Sequence, residues 1–170
     1  MNQKIVNGLL PNVDRIERSY KVFNVPEPPI HRETEWAFDI NLTPTLLREY
    51  KQMVEEKGHL INFIQEIRFV KGDDFALSPC YSRDSVYVGA YNADNRGWDE
   101  LLSDFEELAT KHNGRPHWGK EFNVGTDYLK SVYPKWDDFL KLREELDPNG
   151  RFMNHMMIKL TETINWYIVA

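Results

Sequence analysis

At 170 residues, with 41% hydrophobic and 28% charged residues, the chain has room for one domain with a sizeable core and little room for a second. A net charge of −6 disfavours nucleic acid or any other partner built on a phosphate backbone. One cysteine, Cys80, excludes an internal disulfide framework and a multi-thiolate metal site; the five histidines show no ligand spacing, so no metal is expected.

The first residues, Met1-Asn2-Gln3-Lys4, do not lead into a signal-peptide stretch. No run approaches the ~18 apolar residues of a membrane helix, so a cytoplasmic protein, or one peripheral to a membrane, is expected. Residues 1–33 read as an extended lead-in arm ending in Val25-Pro-Glu-Pro-Pro-Ile30, because proline removes donors and fixes an extended backbone. Residues 34–170 then form the folded domain. Glu35 to Ile40 alternates, with Trp36, Phe38 and Ile40 on one side and Glu35, Ala37 and Asp39 on the other, as in a half-buried strand. Thr43-Pro44 has the residue types of an N-cap and first helical position. Leu46, Leu47, Tyr50, Met53 and Val54 continue that helix until Gly58 stops it.

A second strand is expected from about Ile61 to Val70 and a third from Asp84 to Tyr91. The clearest helix follows, with Trp98, Leu101, Leu102, Phe105, Leu108 and Ala109 on one stripe. Arg115-Pro-His-Trp-Gly-Lys120 reads as a loop. Thr126 caps a short helix up to Pro134, which opens another carrying Trp136, Phe139, Leu140 and Arg143. Asp147-Pro-Asn-Gly150 has the composition of a type I turn. Ile164 to Ala170, apolar except for Asn165, reads as a terminal strand or docked tail. The expected class is α+β: an antiparallel sheet with helices on one face, in a ferredoxin-like split βαβ cap, followed by a C-terminal helical segment.

Two polar clusters carry chemistry. Glu66 and Arg68, two apart on an expected strand, leave the same face, where one can accept from a substrate hydroxyl and the other donate to it. Spacing alone favours a plain surface ion pair. In His117-Trp-Gly-Lys120, the lysine can stabilise negative charge developing on a cofactor, although such a tetrapeptide is more often a surface turn with a snorkelling lysine. Cys80 has no flanking base and reads as a packed residue.

Four segments in order give these clusters a setting: Glu66-Ile-Arg68, Leu77-Ser-Pro-Cys-Tyr-Ser-Arg-Asp-Ser85, Arg115-Pro-His-Trp-Gly-Lys120 and Leu146-Asp-Pro-Asn-Gly-Arg-Phe-Met-Asn154. Together they resemble the C-terminal domain of the aldonolactone oxidases (gulonolactone, galactonolactone and arabinonolactone oxidases), FAD-linked flavoproteins of the vanillyl-alcohol-oxidase type with alditol oxidases as bacterial relatives. Leu77 to Ser85 looks closest to the gulonolactone type, and Gly119 resembles the alditol oxidases.

The resemblance implies oxidation of a sugar-lactone hydroxyl, of the D-arabinono-1,4-lactone oxidase kind, by FAD. It makes Glu66, Arg68 and Lys120 catalytic, and His117, Lys120 and Asn154 cofactor-facing. It also implies a sugar lactone or polyol as substrate and a flavin-binding domain or subunit as partner, the FAD-binding half being absent from these residues. Membrane association, frequent among gulonolactone-type relatives, is implied as well. Gly89, Ala90 and Tyr91 stand where alditol oxidases carry a His-Phe-Thr stretch, which argues against an alditol. An alditol oxidase fragment and a degenerate, non-catalytic binding module are the alternatives.

Overall fold

The computed structural model describes residues 16–22 and 30–161. The prolines of the 25–30 run and the apolar segment 164–170 lie outside the described residues. A short helix, α1 (Ser19–Val22), precedes strand β1 (Arg32–Asp39). A 3-10 turn leads from β1 into α2 (Thr43–Lys57), and strands β2 (Ile67–Val70) and β3 (Ser85–Asn92) follow. Then come α3 (Trp98–Lys111) and β4 (Arg115–Pro116), and the short helices α4 (Thr126–Val132), α5 (Trp136–Leu146) and α6 (His155–Thr161) end the described chain. The strands form one antiparallel sheet in the order β2-β3-β1-β4, so the fold is α+β, a four-stranded sheet flanked by helices.

Period-two alternation sorts β1 into two faces. Trp36 and Phe38 join Val86, Val88 and Ala90 of β3 against Leu46 and Tyr50 of α2 and Trp98, Leu101 and Phe105 of α3. Trp36 and Trp98 are fully buried, and the Tyr50 and Phe105 rings meet edge-on at 5.2 Å. Each such side chain contributes about 1.5–3 kcal/mol by burial. An exposed ion pair such as Lys51–Glu55 contributes only about 0–1 kcal/mol, so apolar packing holds the helices to this face. A second cluster of Leu129, Val132, Tyr133, Trp136 and Leu160 unites the C-terminal helices. Phe122, Val124 and Tyr128 touch both clusters and weld them together.

Several boundaries differ from the sequence-based expectation. β1 begins at Arg32, so Arg32 and Glu33 are strand residues. Thr43 is the first residue of α2 rather than its cap: its hydroxyl donates to the Ile40 carbonyl at 2.6 Å. Gly58 does end α2, at φ +68°, a left-handed conformation that suits glycine. The strand expected over 61–70 is confined to Ile67–Val70. Upstream of it the chain leaves the ladder for side-chain contacts. Asn62 Oδ1 accepts from the Ala93 amide at 2.8 Å, and the Phe63 ring stacks on His31 at 4.6 Å. β2 pairs on one side only, with β3, which leaves Phe69 64% exposed.

The segment 115–120, expected as a loop, starts as β4, because Arg115 and Pro116 pair with Ala37 and Trp36. The implied membrane association is corrected as well. Among the described residues no helix is long and apolar enough to cross a membrane; the longest, α2, has 15 residues and is amphipathic.

Candidate functional site

The sheet face opposite α2 and α3 collects the polar side chains. Register places Glu33 opposite Tyr91, Glu35 opposite Gly89, and Ala37 and Arg68 both opposite Tyr87. Alternation therefore sends Glu33, Glu35, Tyr87, Tyr91 and Arg68 to one side.

Glu35 is the centre of this face and is only 1% exposed. Both of its oxygens accept from the Arg68 guanidinium, whose Nε donates at 3.1 Å, and Arg68 also lies 5.3 Å above the Tyr87 ring. The partner of Arg68 is thus Glu35 of β1, not Glu66 as its spacing suggested. The bidentate fork fixes the guanidinium plane while leaving its side chain 46% exposed. Burial works against the Arg68 charge, and the pairing with Glu35 outweighs it, so its pKa is raised from the usual arginine value. Glu66 stands exposed immediately before β2 and adds its negative charge to the field at both Arg68 and Tyr91.

β4 brings the second cluster to the same face. The His117 amide donates to the Glu35 carbonyl at 2.8 Å, and the Glu121 amide to the Glu33 carbonyl at 3.0 Å, so the loop between them is strapped along β1. Lys120 is thereby held half-buried with its ammonium on the Glu33 carboxylate. Glu33 and Glu35, two residues apart on one strand face, are about 7 Å apart along the strand. They seat the Lys120 and Arg68 cations on the same face of the sheet. His117 turns its ring back on its own loop, Nδ1 accepting from the Gly119 amide at 3.0 Å.

Asn154 lies apart from these groups. Its Oδ1 accepts from the Met157 amide at 2.8 Å, capping α6. The neighbouring His155 lines a cavity of about 530 Å³ together with Lys120, Arg32 and Lys159.

Two arginines of the sequence motifs have structural tasks. Arg115 Nε donates to the Val132 carbonyl at 2.7 Å and Nη1 to the Tyr81 carbonyl at 2.9 Å, tying β4 to α4 and to the 79–81 turn. Arg83 Nη2 donates to the Ala37 carbonyl at 2.7 Å, and burial lowers its pKa to about 10. Sequence reasoning missed Glu33 and Glu35. The alternation of β1 places Glu35 away from the apolar side, but alternation alone does not show that this side is buried too.

One polar group on this face is unsatisfied. The hydroxyl of Tyr91, a residue 4% exposed, has no hydrogen-bond partner among the described residues. Burial, then the Glu35, Glu66 and Glu33 charges, raise its pKa well above the usual phenol value. The face therefore offers a fixed guanidinium, a half-buried ammonium, an exposed carboxylate and a protonated phenol, the donor and acceptor set for a polyhydroxylated ligand. The half-buried ammonium of Lys120 at its margin suits the electron-rich edge of a flavin.

Fold and site together define an α+β domain with one helix-covered face and one charged, aromatic face. The chain belongs to the D-arabinono-1,4-lactone oxidase family, whose model matches residues 2–160. It is 34% identical over 148 residues to the L-gulonolactone oxidase of Mus musculus, covering 84% of this chain and 33% of the relative. It is 32% identical over 151 residues to the L-gulono-1,4-lactone dehydrogenase of Mycobacterium tuberculosis, covering 89% and 35%. With the alditol oxidase of a Streptomyces strain, 34% identity extends over 98 residues, 57% of this chain and 24% of the relative. The chain thus spans about a third of the length of the gulonolactone-type relatives. FAD binding is a property of this family.

Proposed function

We propose that the chain from β1 onward forms the substrate-facing domain of an FAD-dependent sugar-lactone oxidase, with the residues before Arg32 as its lead-in and a flavin-binding domain or subunit as its partner. A single observation carries this reading: Arg68 and Lys120, far apart in sequence, are seated on Glu35 and Glu33 of one sheet face. In this reading the arrangement is the ferredoxin-like split βαβ cap, supported by the succession β-α-β-β-α-β and the strand order 2-3-1-4. The substrate class is an aldono-1,4-lactone, D-arabinono-1,4-lactone among those to be tried.

FAD, when bound, supplies the two-electron chemistry. The residues of this chain bind and orient. Arg68, locked by Glu35, donates to the reacting hydroxyl oxygen, and Glu66 accepts the hydroxyl hydrogen, so the oxygen is polarised and its carbon held in one position. Lys120 keeps a positive charge where negative charge develops during oxidation, in a site dried by the partner domain. His117 and Asn154 take the cofactor-facing rim by the motifs they stand in, Asn154 also capping α6. An alditol substrate is disfavoured by Gly89. Glycine there offers no side chain to a ligand, and a Cβ would sit 2.5 Å from the Thr34 carbonyl oxygen.

Anaerobic stopped-flow reduction tests the reading in the protein carrying its flavin half, in cis or as a separate chain. Lys120→Ala should slow flavin reduction by about 10²–10³-fold with a small change in lactone affinity. Glu66→Ala and Arg68→Lys should impair both. Near-wild-type reduction in all three would leave the face as inherited architecture and favour a non-catalytic binding module.

A further inference from the structure

We propose that Glu33 is the positioning residue of Lys120: its carboxylate holds the ammonium on the sheet face and offsets part of the positive charge that Lys120 presents to bound flavin. This rests on the reading of Lys120 as the residue at the flavin edge.

The backbone around Lys120 is fixed, whereas its side chain is not. The His117 and Glu121 amides donate to carbonyls of β1, and the Lys120 amide donates to the His117 carbonyl at 3.0 Å, so the turn carrying the lysine is closed at both ends. A flexible aliphatic stem separates that turn from the ammonium, and such a stem has many rotamers. Where the charge comes to rest is therefore decided by the carboxylate it meets. Glu35 already neutralises Arg68, and Glu121 already neutralises Arg32. Glu33 faces the ammonium and makes its one ion pair among the described residues.

Glu33 is in turn held in place. It stands on β1 opposite Tyr91, and its Oε2 lies 3.8 Å from Nε2 of His31, whose ring is stacked on Phe63 at 4.6 Å. The Lys120 and Glu33 side chains are 27% and 21% exposed, so solvent screens their charges less than those of a surface pair such as Lys51–Glu55. A cation in contact with a carboxylate acts on its surroundings as a dipole, because the negative partner cancels part of its field. Glu33 thus does two things at once: it fixes the site of the ammonium and makes its charge weaker than that of an unpaired lysine.

The test uses the protein carrying its flavin half and reads the flavin midpoint potential by equilibrium reduction against a reference dye, with no lactone present. Glu33→Gln keeps an acceptor for the ammonium and removes the negative charge. It should favour reduced over oxidised flavin about tenfold, a rise of about 30 mV for a two-electron couple. Glu33→Ala removes charge and acceptor together, so its potential should lie between those of wild type and Glu33→Gln. A Glu33→Gln potential at or below wild type overturns the inference, and is what a side chain that only maintained the fold would give. Equal potentials in Glu33→Gln and Glu33→Ala overturn the positioning role. If Glu33→Gln does not fold, Glu33→Ala must by itself exceed wild type, and a value at or below wild type overturns the inference. Lys120→Ala separates the two levels, since it should lower the potential. A lowered potential there without the rise in Glu33→Gln overturns this inference alone. No change in Lys120→Ala overturns the reading of Lys120 on which it rests, and this inference with it.

Discussion

Replacing Arg68 by alanine would strip the only described cation from a carboxylate that is 1% exposed. Glu35 would remain buried with its charge unpaired, and such breakage typically costs about 3–5 kcal/mol. Because the Arg68 side chain is 46% exposed, water reaches part of the vacated space, and the low end, about 3 kcal/mol, is expected. The reverse change is cheaper. Glu35→Gln leaves a cation that can turn to solvent, so about 1 kcal/mol is expected. The double variant, with no buried charge to strand, should cost about 2 kcal/mol, a coupling of about 2 kcal/mol between the sites. Urea unfolding of the four proteins gives these values, and the melting temperature of Arg68→Ala should fall by about 6–12 °C. Additivity within about 0.5 kcal/mol, or Glu35→Gln costing more than Arg68→Ala, would refute the argument that burial of Glu35 sets the energetics.

Gly89→Ala should destabilise by about 1–3 kcal/mol, since its Cβ would press the Thr34 carbonyl oxygen at 2.5 Å; an unchanged thermal midpoint would show that β1 and β3 separate freely. The Arg32–Glu121 pair gives a pH dependence. The hydrogen bond from Arg32, and also that from Trp98 Nε1, hold the Glu121 carboxyl below its usual range. A lowered folded-state pKa means that the unfolded chain binds the proton more readily. The stabilisation is therefore complete above the ordinary glutamate value of about 4.3 and is lost as pH falls through the lower, folded value. Glu121→Gln should accordingly reduce the urea midpoint at neutral pH and converge with wild type in strong acid; a constant gap at all pH values would contradict this.

Periodicity in the sequence located α2, α3 and the cores of β1 and β3, because burial of Trp36, Phe38, Trp98 and Phe105 imposes the same spacing on sequence and structure. The glycine at position 58 ended a helix for a reason visible in its residue type. The order of the motifs likewise indicated the family before any geometry was known.

What the sequence could not decide was pairing. Arg68 is two residues from Glu66 along the chain but two strand pairings and more than thirty positions from Glu35, which holds it. The burial of Glu35 was not legible because alternation tells only which side of a strand a residue occupies. Whether that side meets water depends on the neighbours supplied by β3 and β4. Arg115-Pro116 looked like a loop because two residues are too few to show a period. Their strand character comes from the β1 edge they add to, and that edge carries Lys120 to the same face as Arg68. Local spacing specifies elements, whereas the convergence of charges that makes a site arises from contacts between residues distant in sequence, which exist only once the sheet has closed.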